Sequence, residues 1–275
     1  MQKKYKLYKF FGIVLFAFFS FFYTSKATTL IRNNDPIMLE IRNNKEDYLV
    51  SKIDPIIIND EYYTGINGCE VDEMESYNKM KSVGSFKEEL LVMKQDKIED
   101  IDKYIIGGNK HNRNVSIILL DSSNTKLNNY FKDNNIKINY FLDSNYINKN
   151  ILSLKKISNY TRIYNFGRNK EYLNKYIIYD NNMIESYLNN KSRYCLLLDK
   201  NEEMLNLCTQ YNMKTIKSPI ISDLSSIKEL LSNGKIFVLD NNNYNDIVRT
   251  IKYIYSKGYD IVFLDELLNE ENDCN

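Results

Sequence analysis

The chain has 275 residues, 43% of them hydrophobic and 27% charged, which is room for one α/β domain with an appendage. Its formal net charge is +1 and its pI about 7.5, a balance that argues against nucleic-acid binding, which needs a strongly basic face. One histidine (His111) and the lack of any Cys-x-x-Cys pair exclude a multi-histidine zinc site and a zinc ribbon.

The amino terminus opens with Lys3, Lys4, Lys6 and Lys9, and residues 10–23 then form an uncharged apolar block. Fourteen residues suit the hydrophobic region of a signal peptide and fall short of the about 20 needed to span a bilayer. Ser25-Lys26-Ala27 resembles a small-x-small cleavage pattern, and extension of the block over residues 7–24 would make an uncleaved membrane anchor. A buried core helix is the bland alternative, but solid Phe and Leu behind lysines make a poor amphipathic pattern. Residues 1–27 therefore read as a signal peptide or membrane anchor. The rest is expected on the extracellular face of the cytoplasmic membrane, or secreted.

Residues 28–110 have irregular spacing, two of the three prolines (Pro36, Pro55) and turn signals such as Gly65-Ile66-Asn67-Gly68. Strand-like runs appear at 55–59 and 103–106, and residues 75–93 suggest a helix, a turn at Gly84-Ser85 and a strand. This region reads as a small α+β accessory region, with a boundary at Ile105-Ile106-Gly107-Gly108-Asn109. Residues 111–275 alternate: strands are expected at 115–120, 137–142, 161–165, 193–198, 213–217, 235–239 and 260–264. Helices fall between them, notably at 145–157, 202–211, 222–232 and 245–256. Ile247, Ile251 and Ile254 share one face of the last helix. Short apolar strands separated by helices imply parallel strands joined by crossovers, and this number of units closes naturally into a (β/α) barrel. Ligands of such a barrel sit at the carboxyl ends of its strands.

Two cysteines, Cys195 and Cys208, stand 13 apart, one at the end of a strand-like run and one in the following helix-like run. An export address permits a disulfide between them, and two separate buried thiols are the alternative. Cys274 lies in the acidic tail and receives no role. His111 sits in a polar linker with no nucleophile or carboxylate placed beside it. Neither a Gly-x-Ser-x-Gly elbow nor a Walker-type loop occurs, and a cysteine nucleophile would have only the linker histidine for a partner.

The order of these motifs resembles the polysaccharide deacetylase (NodB-homology) family over residues 115–269. The most specific piece is the carboxyl end, Gly258-Tyr259-Asp260-Ile261-Val262-Phe263-Leu264-Asp265-Glu266-Leu267-Leu268, which looks like the family's closing strand and "GY-x-x-V-x-L-x-E-L-L". Lys137 to Asp143 looks like its second strand. The resemblance implies a distorted (β/α) barrel acting on cell-wall sugars. The family's amide hydrolysis uses a divalent metal, a carboxylate base and a histidine acid. Those residues are not matched here. In the base position of the first motif stands Leu120, with Asp121 in the ligand position. Phe166 and Lys170 occupy the two histidine positions of the second motif, and Asp240 stands for the late catalytic histidine. A phenyl ring has no lone pair for a metal, and an ammonium repels one.

Asp121 and Asp240 are thus candidate remnants of a catalytic site, with no metal site and no cofactor expected. Tyr160, Tyr164, Phe166, Arg168 and Tyr172 are candidate sugar contacts, although 23 tyrosines make such clusters by composition alone. The expected function is a catalytically inactive, deacetylase-like envelope protein that binds cell-wall glycan or an envelope protein, with no nucleic-acid partner. Two alternatives stay open: an active deacetylase that binds a divalent metal through Asp121, Asp240 and neighbouring oxygens, and a purely structural envelope protein.

Overall fold

The computed structural model describes residues 2–120, 122–167, 174–188, 190–239, 243–271 and 274. The first elements are α1 (Gln2–Asn33), α2 (Pro36–Asn44), β1 (Ile56–Ile58), β2 (Glu61–Tyr63), β3 (Gly68–Val71), α3 (Glu73–Lys81), β4 (Met93–Asp96) and β5 (Tyr104–Gly107). An alternating part follows: β6 (Asn114–Leu119), α4 (Thr125–Asp133), β7 (Ile138–Leu142), α5 (Ser144–Ile157), β8 (Thr161–Asn165), α6 (Asn174–Leu188) and β9 (Tyr194–Leu197). It continues through α7 (Glu202–Gln210), β10 (Lys214–Lys217), β11 (Ile220–Ile221), α8 (Leu224–Leu230), β12 (Ile236–Leu239), α9 (Tyr244–Ser256), β13 (Asp260–Ile261) and α10 (Leu264–Leu267).

The chain divides into two compact units: Met1–Ser51 with Gly68–Asp96 and Asn272–Asn275, and Lys52–Asn67 with Lys97–Glu271. This division differs from a cut at residue 110. The strand-like runs at 55–59 and 103–106 belong with the alternating part because β2 pairs β5 and β5 pairs β10, both in parallel. Nor is Gly107-Gly108 a linker. The Gly108 N–H donates to the Gly234 carbonyl at 2.7 Å, and a Cβ on Gly108 would stand 2.2 Å from the Leu267 carbonyl oxygen. Glycine is there because two backbones meet.

In the first unit, residues 14–33 of α1 average 1.4 in hydropathy with none buried, long and apolar enough to cross a membrane by length and composition. The helix runs past Ala27 without a break. Asp35 caps α2 by accepting from the Ile37 N–H, with Pro36 at the first helical position. Asp72 caps α3 in the same way. A small core of Met38, Ile41, Val71, Tyr77 and Met80 forms between these helices and the antiparallel β3–β4 pair. Glu73 accepts from Lys45 at 2.7 Å and Arg42 at 2.8 Å, and those two hydrogen bonds hold its carboxyl below the usual range. Cys274 has a structural partner after all: it forms a disulfide with Cys69 on β3, Cα to Cα 5.6 Å.

The second unit is the distorted barrel. Parallel ladders run β11-β12-β6-β7-β8 and β9-β10. Taken in chain order the strands from β6 to β12 form a ring closed by the β12–β6 pair. Among the described residues no ladder joins β8 to β9 or β10 to β11. Side chains bridge the first gap instead: Asn190 Nδ2 donates to the Ile163 carbonyl at 2.7 Å, and Tyr164 meets Tyr194 edge-on at 5.6 Å. At the second, Ser218 Oγ donates to the Ile236 carbonyl. From β10 the sheet continues as β5-β2-β1, with Ile105 and Tyr62 in the interior core and Gly107 bridging to Lys235 before β12.

Strand alternation sorts the residues into two cores. Val115, Ile117 and Leu119 of β6, with Ile138, Tyr140 and Leu142 of β7, face the helices. Ile118, Phe141, Tyr164, Leu196, Ile216 and Val238 fill the barrel. Its amino end is plugged by the chain's last elements. The Leu264 N–H donates to Asn139 Oδ1 at 3.0 Å, Ser116 Oγ donates to the Val262 carbonyl, and Leu264, Leu267 and Leu268 join the interior core.

Candidate functional site

The carboxyl ends of the strands carry an apolar mouth. β6 delivers Leu120, β9 delivers Leu198 and β11 brings Ile220, each packed against the interior core. β8 delivers Phe166, which is 4% exposed. Its position is fixed on both sides: the Phe166 N–H donates to the Leu142 carbonyl at 2.8 Å, and the Gly167 N–H donates to Asn165 Oδ1 at 2.8 Å. Gly167 adopts a positive φ of 85°, and its carbonyl accepts from the Ser144 N–H at 3.1 Å. The turn therefore sends the ring inward, where two of the sequence-level sugar contacts prove to be core. Phe166 fills the mouth. Tyr164 is fully buried, stacks on Phe141 at 4.9 Å and donates its hydroxyl to Asp265 at 2.9 Å, at the plugged end. Burial, and then the Asp265 carboxylate, push its pKa well above the ordinary tyrosine value.

Asp143, at the end of β7, is engaged in folding: its carboxylate accepts from the Asn145 N–H at 2.8 Å and caps α5. Asn124, Asn201, Asp223 and Asn243 cap α4, α7, α8 and α9 in the same manner. These five Asp and Asn residues in the loops after the strands are helix starters. Asp121, Arg168, Lys170, Tyr172 and Asp240 lie outside the described residues. Among the described residues no three His, Cys, Asp or Glu side chains gather as a metal site. The described mouth residues, Leu120, Phe166, Leu198 and Ile220, do not by themselves fit a divalent cation. Hydrocarbon and phenyl groups offer it no lone pair and would strip its water without replacement. His111 is exposed in its loop. Cys195 and Cys208 form a disulfide, Cα to Cα 6.2 Å, and with Cys69–Cys274 this leaves no free thiol.

Tyr160 has a different setting. It is half-buried on the outer wall of the barrel, at a cleft of about 500 Å³ between α4 and α5. Tyr146, Lys132 and Lys156 line the same cleft. Sequence reasoning passed over these three. Lysines and tyrosines on amphipathic helices look like any solvated face, and only the spacing between two helices distant in sequence assembles them.

No protein-family model matches the chain. Among curated proteins, falcipain-2a of Plasmodium falciparum is 22% identical over 90% of this chain, which spans 45% of that protein's length. Identity at that level with partial coverage shows no shared function, and a chain whose four cysteines are all paired has no thiolate to offer. Solved structures give a clearer result. A pseudoenzyme of carbohydrate esterase family 4 from Bacillus anthracis superposes with a TM-score of 0.59 at 19% identity, covering 87% of this chain and 97% of its own. A mutant of that protein, described as having restored enzymatic activity, gives 0.60 at 20% identity, over 86% of this chain and all of the mutant's. A peptidoglycan N-acetylglucosamine deacetylase gives 0.53 at 15% identity, over 62% of this chain and 95% of its own. The chain thus has the polysaccharide deacetylase fold. Its likeness to the pseudoenzyme extends over more of the chain than the barrel unit holds.

Proposed function

On a barrel of the family 4 carbohydrate esterase type with a hydrocarbon mouth, we propose that the protein is a deacetylase-like pseudoenzyme of the cell envelope. It holds glycan, or an envelope partner presented with glycan, without hydrolysing it. The observation that carries this reading is Phe166, locked by backbone bonds on both sides and buried where the family resemblance places a metal-binding imidazole. Leu120 supports it, since a leucine in the base position cannot take a proton from water. The breadth of the likeness to a Bacillus anthracis pseudoenzyme supports it as well. The apolar α1 and two disulfides support an address outside the cytoplasm, with α1 as signal or anchor.

The test has two arms. Full chain supplied with Zn²⁺ or Co²⁺ is assayed for acetate from N-acetylated chitooligosaccharides and peptidoglycan, and the expected release equals the blank. Sedimentation with purified cell wall is expected to carry the protein down. Acetate release abolished by Asp121→Asn would instead establish an active enzyme, and failure to bind wall would leave a purely structural role.

A further inference from the structure

The cleft between α4 and α5 has a composition unlike the mouth. Its floor is apolar, from Leu154 and Ile157, which also pack toward the barrel's outer core. Tyr146 and Tyr160 line it half-buried, each with part of its ring open to the cleft. Neutral hydrogen-bonding groups ring it, including Ser122 and Asn129. Lys132 and Lys156 are exposed at its edges, and neither ammonium group has a hydrogen-bond, ion-pair or ring partner among the described residues. Other lysines of this unit are engaged, Lys137 with Glu266, Lys200 with Asp60 and Lys126 over the ring of Tyr244, whereas Lys132 and Lys156 stand free beside one cleft.

Each feature constrains the ligand. A volume of about 500 Å³ falls within the range of small-ligand sites, about 300–1,000 Å³. Half-exposed tyrosine rings in a concave wall offer an apolar face with a polar tip, which matches the mixed C–H and hydroxyl surface of a pyranose. Hydroxyls and amides supply donors and acceptors without charge. Two unpaired ammonium groups favour a ligand that carries negative charge. An isolated anion would have no use for the tyrosines and the apolar floor, and two lysines are too few for a nucleic-acid backbone.

We infer that the α4–α5 cleft binds a glycan bearing carboxylates, with Tyr146 and Tyr160 against sugar rings and Lys132 and Lys156 facing the carboxylates. The inference rests on the glycan-binding reading above. It places the contact on the outer wall of the barrel, away from the mouth.

Calorimetric titration of the full chain in detergent with short oligogalacturonates, and with neutral cello-oligosaccharides beside them, tests it. The acidic oligomer is expected to bind saturably and more weakly as salt rises, and the neutral one to bind at least tenfold more weakly, about 1.4 kcal/mol. Tyr160→Ala and the double variant Lys132→Gln, Lys156→Gln are each expected to lose at least tenfold. Tyr160→Phe, which keeps the ring face, should bind like the parent, and Tyr187→Ala, exposed outside the cleft, serves as the folding control. Equal binding of the two oligomers, or parental affinity in the lysine double variant, would overturn the assignment. Wall sedimentation separates the two levels. If the parent and the cleft variants sediment alike, the cleft is wrong and the glycan-binding reading stands. If the parent stays in solution, the broader reading fails as well.

Discussion

Phe166 shows how far one residue can be read from sequence. Alignment of motif order placed it at a metal-ligand position, where a phenyl ring has no lone pair to offer. Its environment was not legible. In a chain with 23 tyrosines and 13 phenylalanines, the aromatic run around 160–172 looks like a sugar platform as readily as a core. Register decides the matter: Tyr164 and Phe166 share the inward face of β8, two residues apart, while Tyr160 precedes the strand and stays outside. If Phe166 is packing rather than a ligand contact, Phe166→Ala should cost about 3–5 kcal/mol, the usual range for a buried aromatic. Urea unfolding followed by circular dichroism measures it. A cost near zero would mean that the ring is free at the mouth and that the apolar lid is incorrectly described.

At the scale of elements, most of the barrel was legible because two periods coexist in the sequence. Apolar runs of three to five residues mark β6, β7, β9 and β12, and the Ile247, Ile251, Ile254 spacing marks α9. Helix starts were also written locally, as Asn or Asp one residue before α2, α3, α4, α5, α7, α8 and α9. Capping gives Asp143 and Asp223 a structural role at the starts of α5 and α8. Asp143 is the best test, since it ends a barrel strand and yet spends its carboxylate on the Asn145 N–H. Asp143→Ala should destabilise the protein by about 1 kcal/mol, and Asp143→Asn by much less, because an amide oxygen caps nearly as well. Equal losses in the two variants would point to a need for negative charge that capping does not explain. What local patterns could not supply was the partnership of β1, β2 and β5 with β10. Three- and four-residue strands carry too few positions to specify partners more than 100 residues away, so residues 52–67 looked like part of the accessory region.

Some pairings lie beyond any window of sequence. Cys69 and Cys274 are 205 residues apart, and the acidic tail gave no hint of a fixed end. The core that this bridge serves is small, five fully buried apolar side chains, and small cores lean on covalent staples. Cys274→Ser should therefore remove about 2–4 kcal/mol of protection, read by hydrogen exchange at the amides of α3, with the amides of β6 and β7 unchanged.

The barrel has a different limit, set by its tyrosines. Burial is the main reason that Tyr62, Tyr164 and Tyr194 hold their protons more tightly than free tyrosine, with acidic neighbours adding to it: Glu270 at Tyr62, Asp265 at the other two. The sign follows from linkage. Below pH about 10 the unfolded chain also keeps these protons, so their contribution to stability is complete. Above that pH the unfolded state releases protons that the fold retains, and stability declines until pH passes the folded-state values. Each such tyrosine should steepen the decline by about 1.4 kcal/mol per pH unit. Urea midpoints should thus stay level from neutrality to about pH 10 and then fall, with the tyrosinate absorbance of these residues appearing only on unfolding. Tyr164→Phe should lower stability at neutral pH, by loss of the bond to Asp265, and flatten the alkaline slope by one tyrosine's share. A slope identical to the parent's would show that Tyr164 reaches solvent in the folded protein, and the packed barrel interior around it would have to be abandoned.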